Sequence, residues 1–172
     1  MTAILPKGKH EFSGIDPFQY QDEYGQTHDG YYVIIDDVVY AFEIDHDDGW
    51  RSYGEIYIPE KISVHDIKNR FPAQEVIIMQ HHGKYTDENN KQFYSIIDVV
   101  SGKTILEIGT DYTDSYYPLA ICHYYPENMA INQQQSNVTN TSDNNYTNDW
   151  VITSTMVSGD YQVDENITFI YN

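Results

Sequence analysis

The chain has little cysteine, little positive charge and no long hydrophobic run. Cys122 is the only cysteine among 172 residues, so a disulfide bond within the chain is excluded. Its apolar neighbours predict a buried strand residue. No segment approaches the roughly 20 apolar residues of a transmembrane helix, so we expect no membrane insertion. The first residues lack the apolar core of a signal peptide, which fits either a cytoplasmic protein or a piece of a longer surface protein.

Basic residues number 9 against 27 acids, which gives a formal net charge of −18. Residues 1–82 carry 15 acids and 6 bases, and residues 83–172 carry 12 and 3, so each half has a net charge of −9. Such a chain repels phosphates, so we expect no nucleic acid and no anionic lipid among its partners. Cations, a basic protein surface and neutral ligands such as glycans are left open.

The chain contains an imperfect internal repeat, called the echo below, which includes many of its 17 tyrosines. Residues 20–44 and 85–108 both open with Tyr-x-Asp-Glu, pass through an aromatic pair and Ile-Ile-Asp, and end on Glu-Ile. The echo continues to Tyr-x-Pro-Glu at 57–60 and 124–127. It predicts two related β-rich units. We place the first at 1–82, with one short helix, and the second at 83–172, with a polar insert at 130–149.

The fold class expected from these patterns is α+β and β-dominated, as two tandem β-grasp-like units. Residues 31–44 predict a hairpin that turns at Asp36-Asp37, and residues 93–108 predict another that turns at Ser101-Gly102. A helix over 59–71 is predicted by Ser63 as its cap with Asp66 three residues on. Further strands are predicted at 55–58, 75–79, 118–124, 150–156 and 167–171.

One acidic loop resembles a calcium site. Asp45, Asp47 and Asp48 precede Gly49, and Glu55 follows ten residues after Asp45. Clustered carboxylates with a glycine that permits a sharp turn suit a hard cation, so these four acids are our candidate Ca²⁺ ligands. The spacing misses that of an EF-hand by one residue, and a solvated acidic turn is the alternative. Zinc is not expected, because the histidines lack any metal-binding spacing.

Tyrosine pairs and a tryptophan form the candidate ligand-binding set. Neighbouring residues of a strand point to opposite faces, so one ring of each pair should be exposed. Exposed tyrosine and tryptophan offer stacking area together with a polar group, as glycan and protein contact surfaces do. The alternative is that they are half-buried filler of the sheet. The candidates are Tyr31, Trp50, Tyr53, Tyr116, Tyr117, Tyr124 and Tyr125.

The second half resembles the MucBP domain of mucin-binding (MUB) repeats in Gram-positive surface proteins. The likeness rests on Ser158-Gly159-Asp160-Tyr161, on the acidic turn 164–166 with the final strand 167–171, and on Tyr85-x-Asp87-Glu88 with Ser101-Gly102-Lys103. Asn90 stands where the family usually has glycine, and the polar insert departs from its pattern. The resemblance implies β-grasp modules in tandem, outside the cell, with mucin glycans or host proteins as ligands.

Two functions follow from these patterns. The first is a non-enzymatic binding module of a bacterial adhesin, extracellular and cell-wall-associated, which binds mucin glycans or host glycoproteins. The alternative is an acidic intracellular inhibitor of phage type that mimics nucleic acid and blocks a basic protein groove. A small hydrolase would rest only on abundant carboxylate pairs. Nucleophile-elbow and phosphate-loop motifs are absent, so we expect no enzymatic activity, and Ca²⁺ is the one cofactor considered.

Overall fold

The computed structural model describes residues 3–81, 93–114 and 116–132. Its strands are β1 (Gly8–Gln21), β2 (Thr27–Ile35), β3 (Val38–His46), β4 (Ser52–Tyr57), β5 (Arg70–Gln80), β6 (Phe93–Asp98), β7 (Thr104–Asp111) and β8 (Leu119–Tyr124). Two short 3₁₀ turns lie at Val64–Asp66 and Pro126–Asn128. The strands predicted at 150–156 and 167–171, and most of the polar insert, lie outside the described residues.

All eight strands form one antiparallel sheet in the order β4-β3-β2-β1-β5-β6-β7-β8. The order is symmetric about the central β1–β5 pair, so the sheet consists of two four-stranded meanders, β1–β4 and β5–β8. The β-dominated fold class is therefore confirmed. Two separate β-grasp-like units are not confirmed, because the strands of both meanders share one sheet. The unit boundary at residue 82 stays a prediction.

Both predicted hairpins form, for reasons of turn chemistry. Asp36 and Asp37 have φ angles of 49° and 60°, and Ile35 pairs with Val38. Two consecutive positive φ angles define the type I′ turn, whose twist matches that of the strands. In the second hairpin Gly102 has a φ of 69°, which glycine adopts without steric cost. The turns therefore fix the register of β2 with β3 and of β6 with β7.

The predicted helix at 59–71 is wrong in extent. Ser63 and Asp66 do interact as a cap, since the Ser63 N–H and hydroxyl both donate to Asp66 Oδ2, at 2.7 and 2.9 Å. The segment nevertheless makes only the single 3₁₀ turn Val64–Asp66, and Arg70 already pairs with Gly14 of β1. Ile67 packs in a small separate apolar cluster with residues of β2 and β3. Pairing of β5 with the central strand overrides the local helix signal.

The main core lies inside the curled sheet and draws on both meanders. It includes Phe12, Phe42, Tyr94 and Leu106, which are all fully buried. Cys122 lies in the same core, as predicted, and burial raises the pKa of its thiol. The apolar pocket beside Phe42 is too small to admit a water molecule. This packing directs attention to the outer surface as the place for a ligand.

The two edges of the sheet meet, and this contact positions the candidate site. The Ser52 N–H on β4 donates to the carbonyl of Pro118, just before β8, at 3.0 Å. Ser52 Oγ accepts the N–H of Ala120 on β8 at 2.9 Å. Thr110 of β7 also hydrogen-bonds the backbone of Gly54 on β4. The β3–β4 loop is thereby held against the β7–β8 loop, and we call this meeting place the junction.

No helix in the described ranges is long and apolar enough to cross a membrane.

Candidate functional site

Two of the seven candidate aromatic residues are not available to a ligand. Tyr31 is 3% exposed and Tyr124 is 6% exposed, and both belong to the main core. The Tyr124 hydroxyl lies 3.2 Å from Met129 Sδ, inside the protein. Each is the inward-facing member of its pair, and its neighbour takes the outer face. The expectation that Tyr31 and Tyr124 contact ligand is therefore corrected: they are core filler.

Three other candidates come together as exposed rings at the junction. The ring centres of Trp50 and Tyr117 lie 6.3 Å apart, and those of Tyr116 and Tyr117 lie 6.1 Å apart. The exposed fractions are 41% for Trp50, 79% for Tyr116 and 46% for Tyr117. Trp50 comes from the β3–β4 loop and the tyrosines from the β7–β8 loop, so neither loop makes the surface alone. We call these three rings the aromatic cluster.

A second pair of rings comes from the strands that border these loops. Tyr53 of β4 and Tyr112, just after β7, have ring centres 6.4 Å apart at an angle of 50°. Both are partly exposed. Tyr53 was a sequence candidate and Tyr112 was not. Tyr125, the remaining candidate, lies away from this region, where its hydroxyl donates to Glu107 at 3.4 Å.

The same kind of turn places an aromatic residue in each of the two loops. Asp48 Oδ1 accepts the N–H of Trp50 at 3.0 Å, and Asp114 Oδ1 accepts the N–H of Tyr116 at 2.9 Å. An aspartate that bonds the N–H two residues on makes an Asx turn. The two turns are 66 residues apart in sequence, within the offset of the echo. The junction thus places the third loop of one meander beside the third loop of the other. Equivalent surfaces meet in the same way at a two-fold interface between subunits.

Negative charge surrounds the aromatic cluster. Segments 45–51 and 111–118 contain five acids and one base, Arg51. Its Nε and Nη2 donate to Asp48 Oδ2 at 3.0 and 2.8 Å, and Asp47 lies 3.4 Å from Nη2. The Arg51 hydrogen bonds are the largest cause that lowers the pKa of Asp48. Arg51 is therefore paired within its own loop, and the two loop segments together carry a net charge of −4, from five acids and one base.

The four predicted calcium ligands are not grouped into a metal site within the part of the chain that the structure describes. Asp48 is committed to Arg51 and to the turn, while Asp45 lies opposite Tyr53 and Glu55 opposite Glu43 in the β3–β4 ladder. Within residues 3–81, 93–114 and 116–132, no three acidic, histidine or cysteine side chains are grouped so that they could hold a metal ion. Calcium binding by Asp45, Asp47, Asp48 and Glu55 stays a prediction.

Sequence reasoning missed a polar network on the outer face of the first meander. His28 Nδ1 lies 2.6 Å from Glu43 Oε1, and Nε2 lies 3.2 Å from Asp22 Oδ2. Tyr57 donates its hydroxyl to Glu43 Oε2 at 2.8 Å, and the Tyr20 ring stacks on His28 at 4.9 Å. Because these side chains from four strands hydrogen-bond or stack with one another, we interpret the network as one that stabilises the sheet. The only sign of this network in the sequence is the alternation of inward-facing and outward-facing residues along β1–β4.

Comparison with known proteins gives no relative: no family model, no curated protein and no solved structure matches the chain.

Proposed function

We propose that the chain is a non-enzymatic binding module of a bacterial cell-surface adhesin, extracellular and cell-wall-associated, whose ligands are mucin glycans or host glycoproteins. The observation that carries the proposal is the aromatic cluster of Trp50, Tyr116 and Tyr117. Large rings exposed together are costly in water and mark contact surfaces. Rings of this kind contribute much of the binding energy in interfaces because each offers a large, stiff area.

Two further features support the proposal. The aspartates beside the cluster, Asp48 and Asp114, are used to shape turns that present the rings, which suits binding rather than catalysis. The likeness to MucBP domains points to the same ligand class, although most of the residues that carry it lie outside the described ranges. The echo relates residues 20–60 to residues 85–127, and β2–β4 lie within the first range and β6–β8 within the second.

The test is retention of the purified chain on immobilised gastric mucin, with Trp50→Ala and Tyr117→Ala as variants. A central aromatic contact contributes about 2 kcal/mol or more, so each variant should bind more than about tenfold more weakly. Tyr24→Ala is the matched control, because Tyr24 is 86% exposed and also follows an Asx turn, at Asp22, but lies in the β1–β2 turn. Equal binding by all four proteins, or none by wild type, would overturn the proposal.

A second function, the acidic inhibitor that blocks a basic protein groove, has one observation in its favour. The junction segments hold five acids, and their single arginine is neutralised by Asp48 and Asp47. Basic nucleases tested in parallel would be captured tightly at low salt and released at high salt, because screening weakens attraction between exposed charges. Retention on mucin that resists salt favours the adhesin; salt-sensitive capture with loss of nuclease activity favours the inhibitor.

A further inference from the structure

The charge around the aromatic cluster bears on which sugars it accepts, and this inference rests on the proposed function. The rings of Trp50 and Tyr117 are tilted by 46°, and those of Tyr116 and Tyr117 by 49°. Tilted rings do not cover each other, and each of the three rings is at least 41% exposed. The C–H groups of a pyranose ring are weakly positive, and they are attracted to the negative face of an aromatic ring.

The carboxylates lie in the same turns as the rings. Asp48 and Asp114 accept the N–H groups of Trp50 and Tyr116, which fixes each negative charge within two residues of a ring. Asp47 adds an exposed carboxylate next to Asp48. Ionised carboxylates accept hydrogen bonds from sugar hydroxyls, and they repel any acidic group of the ligand. The turn geometry therefore holds the charges where a bound sugar would meet them.

The one cation of the junction, Arg51, is already paired with carboxylates of its own loop. Arg51 makes two hydrogen bonds to Asp48 Oδ2, with a further ion pair to Asp47. A guanidinium recognises a carboxylate or sulfate by the same pair of parallel N–H groups, which Asp48 already uses here. An acidic ligand would meet a guanidinium whose charge Asp48 and Asp47 already offset.

We infer that the aromatic cluster binds neutral sugars and rejects sialylated or sulfated ones, with Asp47, Asp48 and Asp114 as the residues that set this specificity. Neutral pyranose chain ends, such as those of galactose or N-acetylglucosamine, are the chemical class that fits. They offer C–H faces for the rings, hydroxyls for the carboxylates and no charge to be repelled.

The test compares N-acetyllactosamine with its sialylated form by calorimetric titration, and intact with sialidase-treated gastric mucin by surface binding. We expect tighter binding to the neutral sugar, and stronger retention after sialic acid is removed. Preference for the sialylated ligand, or equal binding, overturns the inference while mucin binding itself stands. If no form of mucin is retained, the proposed function fails with it.

Charge variants keep the test specific to the junction. Asp47→Asn and Asp114→Asn preserve side-chain size, and asparagine Oδ1 can still accept the Tyr116 N–H. Each should reduce the preference for neutral sugar by roughly twofold at low salt, as expected for removing one charge several ångströms from the ligand. Asp37→Asn is the matched control, because exposed Asp37 lies in the β2–β3 turn at the other end of β3. An equal effect from the control would show a general charge effect and overturn the assignment.

Discussion

The hydroxyl of Thr110 on β7 bridges both backbone groups of Gly54 on β4. Oγ1 accepts the Gly54 N–H at 2.8 Å and donates to the Gly54 carbonyl at 3.3 Å. Thr110 is 3% exposed, so water cannot replace these bonds. The Thr110 side chain thus links the edge strand β4 to β7, a strand with which β4 does not pair. Together with the two Ser52 hydrogen bonds, this contact holds the junction and with it the aromatic cluster.

Thr110→Val should therefore destabilise the fold. Valine keeps the shape of threonine but leaves the N–H and carbonyl of Gly54 without their partner, which costs about 1–3 kcal/mol. Urea denaturation measures the loss in free energy of unfolding. Thr27→Val, at an exposed position of β2, is the control and should change stability little. If the two variants were equally stable, the Thr110 bridge would not matter.

Gly54→Ala should also destabilise the fold, through overpacking. A Cβ atom at this position would lie 1.9 Å from Cε2 and 2.2 Å from Cζ of Phe42. Phe42 is buried, so its ring could make way only by shifting within the core, and we expect a loss of about 1–3 kcal/mol in the free energy of unfolding. Gly49→Ala serves as a contrast, because nothing lies within 4 Å there and its cost comes only from its φ of 81°. A neutral Gly54→Ala would contradict this packing.

Asp37→Gly should stabilise the β2–β3 hairpin. Asp37 has a φ of 60°, which strains a residue with a side chain but not glycine. Asp-Gly is also a preferred pair for the type I′ turn, so we expect a gain of roughly 0.5–1 kcal/mol. Thermal unfolding measures it. Asp36→Gly provides the contrast, because Asp36 Oδ1 accepts the Glu11 N–H at 2.9 Å and Oδ2 contacts His10. That variant should lose stability despite a similar φ.

The His28 network predicts how stability depends on pH. The hydrogen bond to Glu43, then that to Asp22, raises the pKa of His28 above its usual 6.5. A raised histidine pKa adds stability that is complete below 6.5 and is lost as the pH rises through the folded-state pKa. The pKa of Asp22 is lowered, first by the Gln26 N–H and then by His28, so its contribution is lost in acid below 3.8.

Urea midpoints at about pH 5.5 and about pH 8.5 test this dependence. Wild type should be more stable at the lower value, and His28→Gln should reduce the difference. Some difference will remain, since the pKa of His10 is raised as well: burial lowers it, but the hydrogen bonds of Asp36 and the Lys7 carbonyl and the charge of Asp36 together outweigh that effect. His65→Gln, at an exposed position, is the control and should leave the difference unchanged. An unchanged profile in His28→Gln would contradict the role given to His28.

Local features of the fold were predictable from sequence. The Asp36-Asp37 and Gly102 turns, the alternation of the strands and the burial of Cys122 are all set by neighbouring residues. The helix was mispredicted because the Ser63–Asp66 cap is a one-turn signal, and nothing local shows that β5 will begin at Arg70. The alternation of side chains along a strand predicts that one tyrosine of each pair faces inward. Only the register of the strands in the sheet shows that Tyr31 and Tyr124 are the inward-facing ones.

The residues of the site could be predicted from the sequence, but the fact that they lie together could not. Trp50, Tyr116 and Tyr117 were candidates by residue type, yet the two loops meet only because the sheet curls until its edges touch. That curl involves long-range pairing and the irregularity in β1 between Phe12 and Gly14, where both β2 and β5 pair with β1. A bulge of this kind bends a strand, and its effect on distant loops has no local sequence signature.

The fluorescence of Trp50 gives the most direct test that the aromatic cluster is the binding surface. The chain has two tryptophans, so Trp150→Phe leaves Trp50 as the only one. Trp50 is 41% exposed, and a sugar that stacks on it must change the polarity around the indole. Titration with neutral glycans released from mucin should shift or quench its emission in a saturable way. Unchanged Trp50 emission while the same glycans bind the protein would contradict the account.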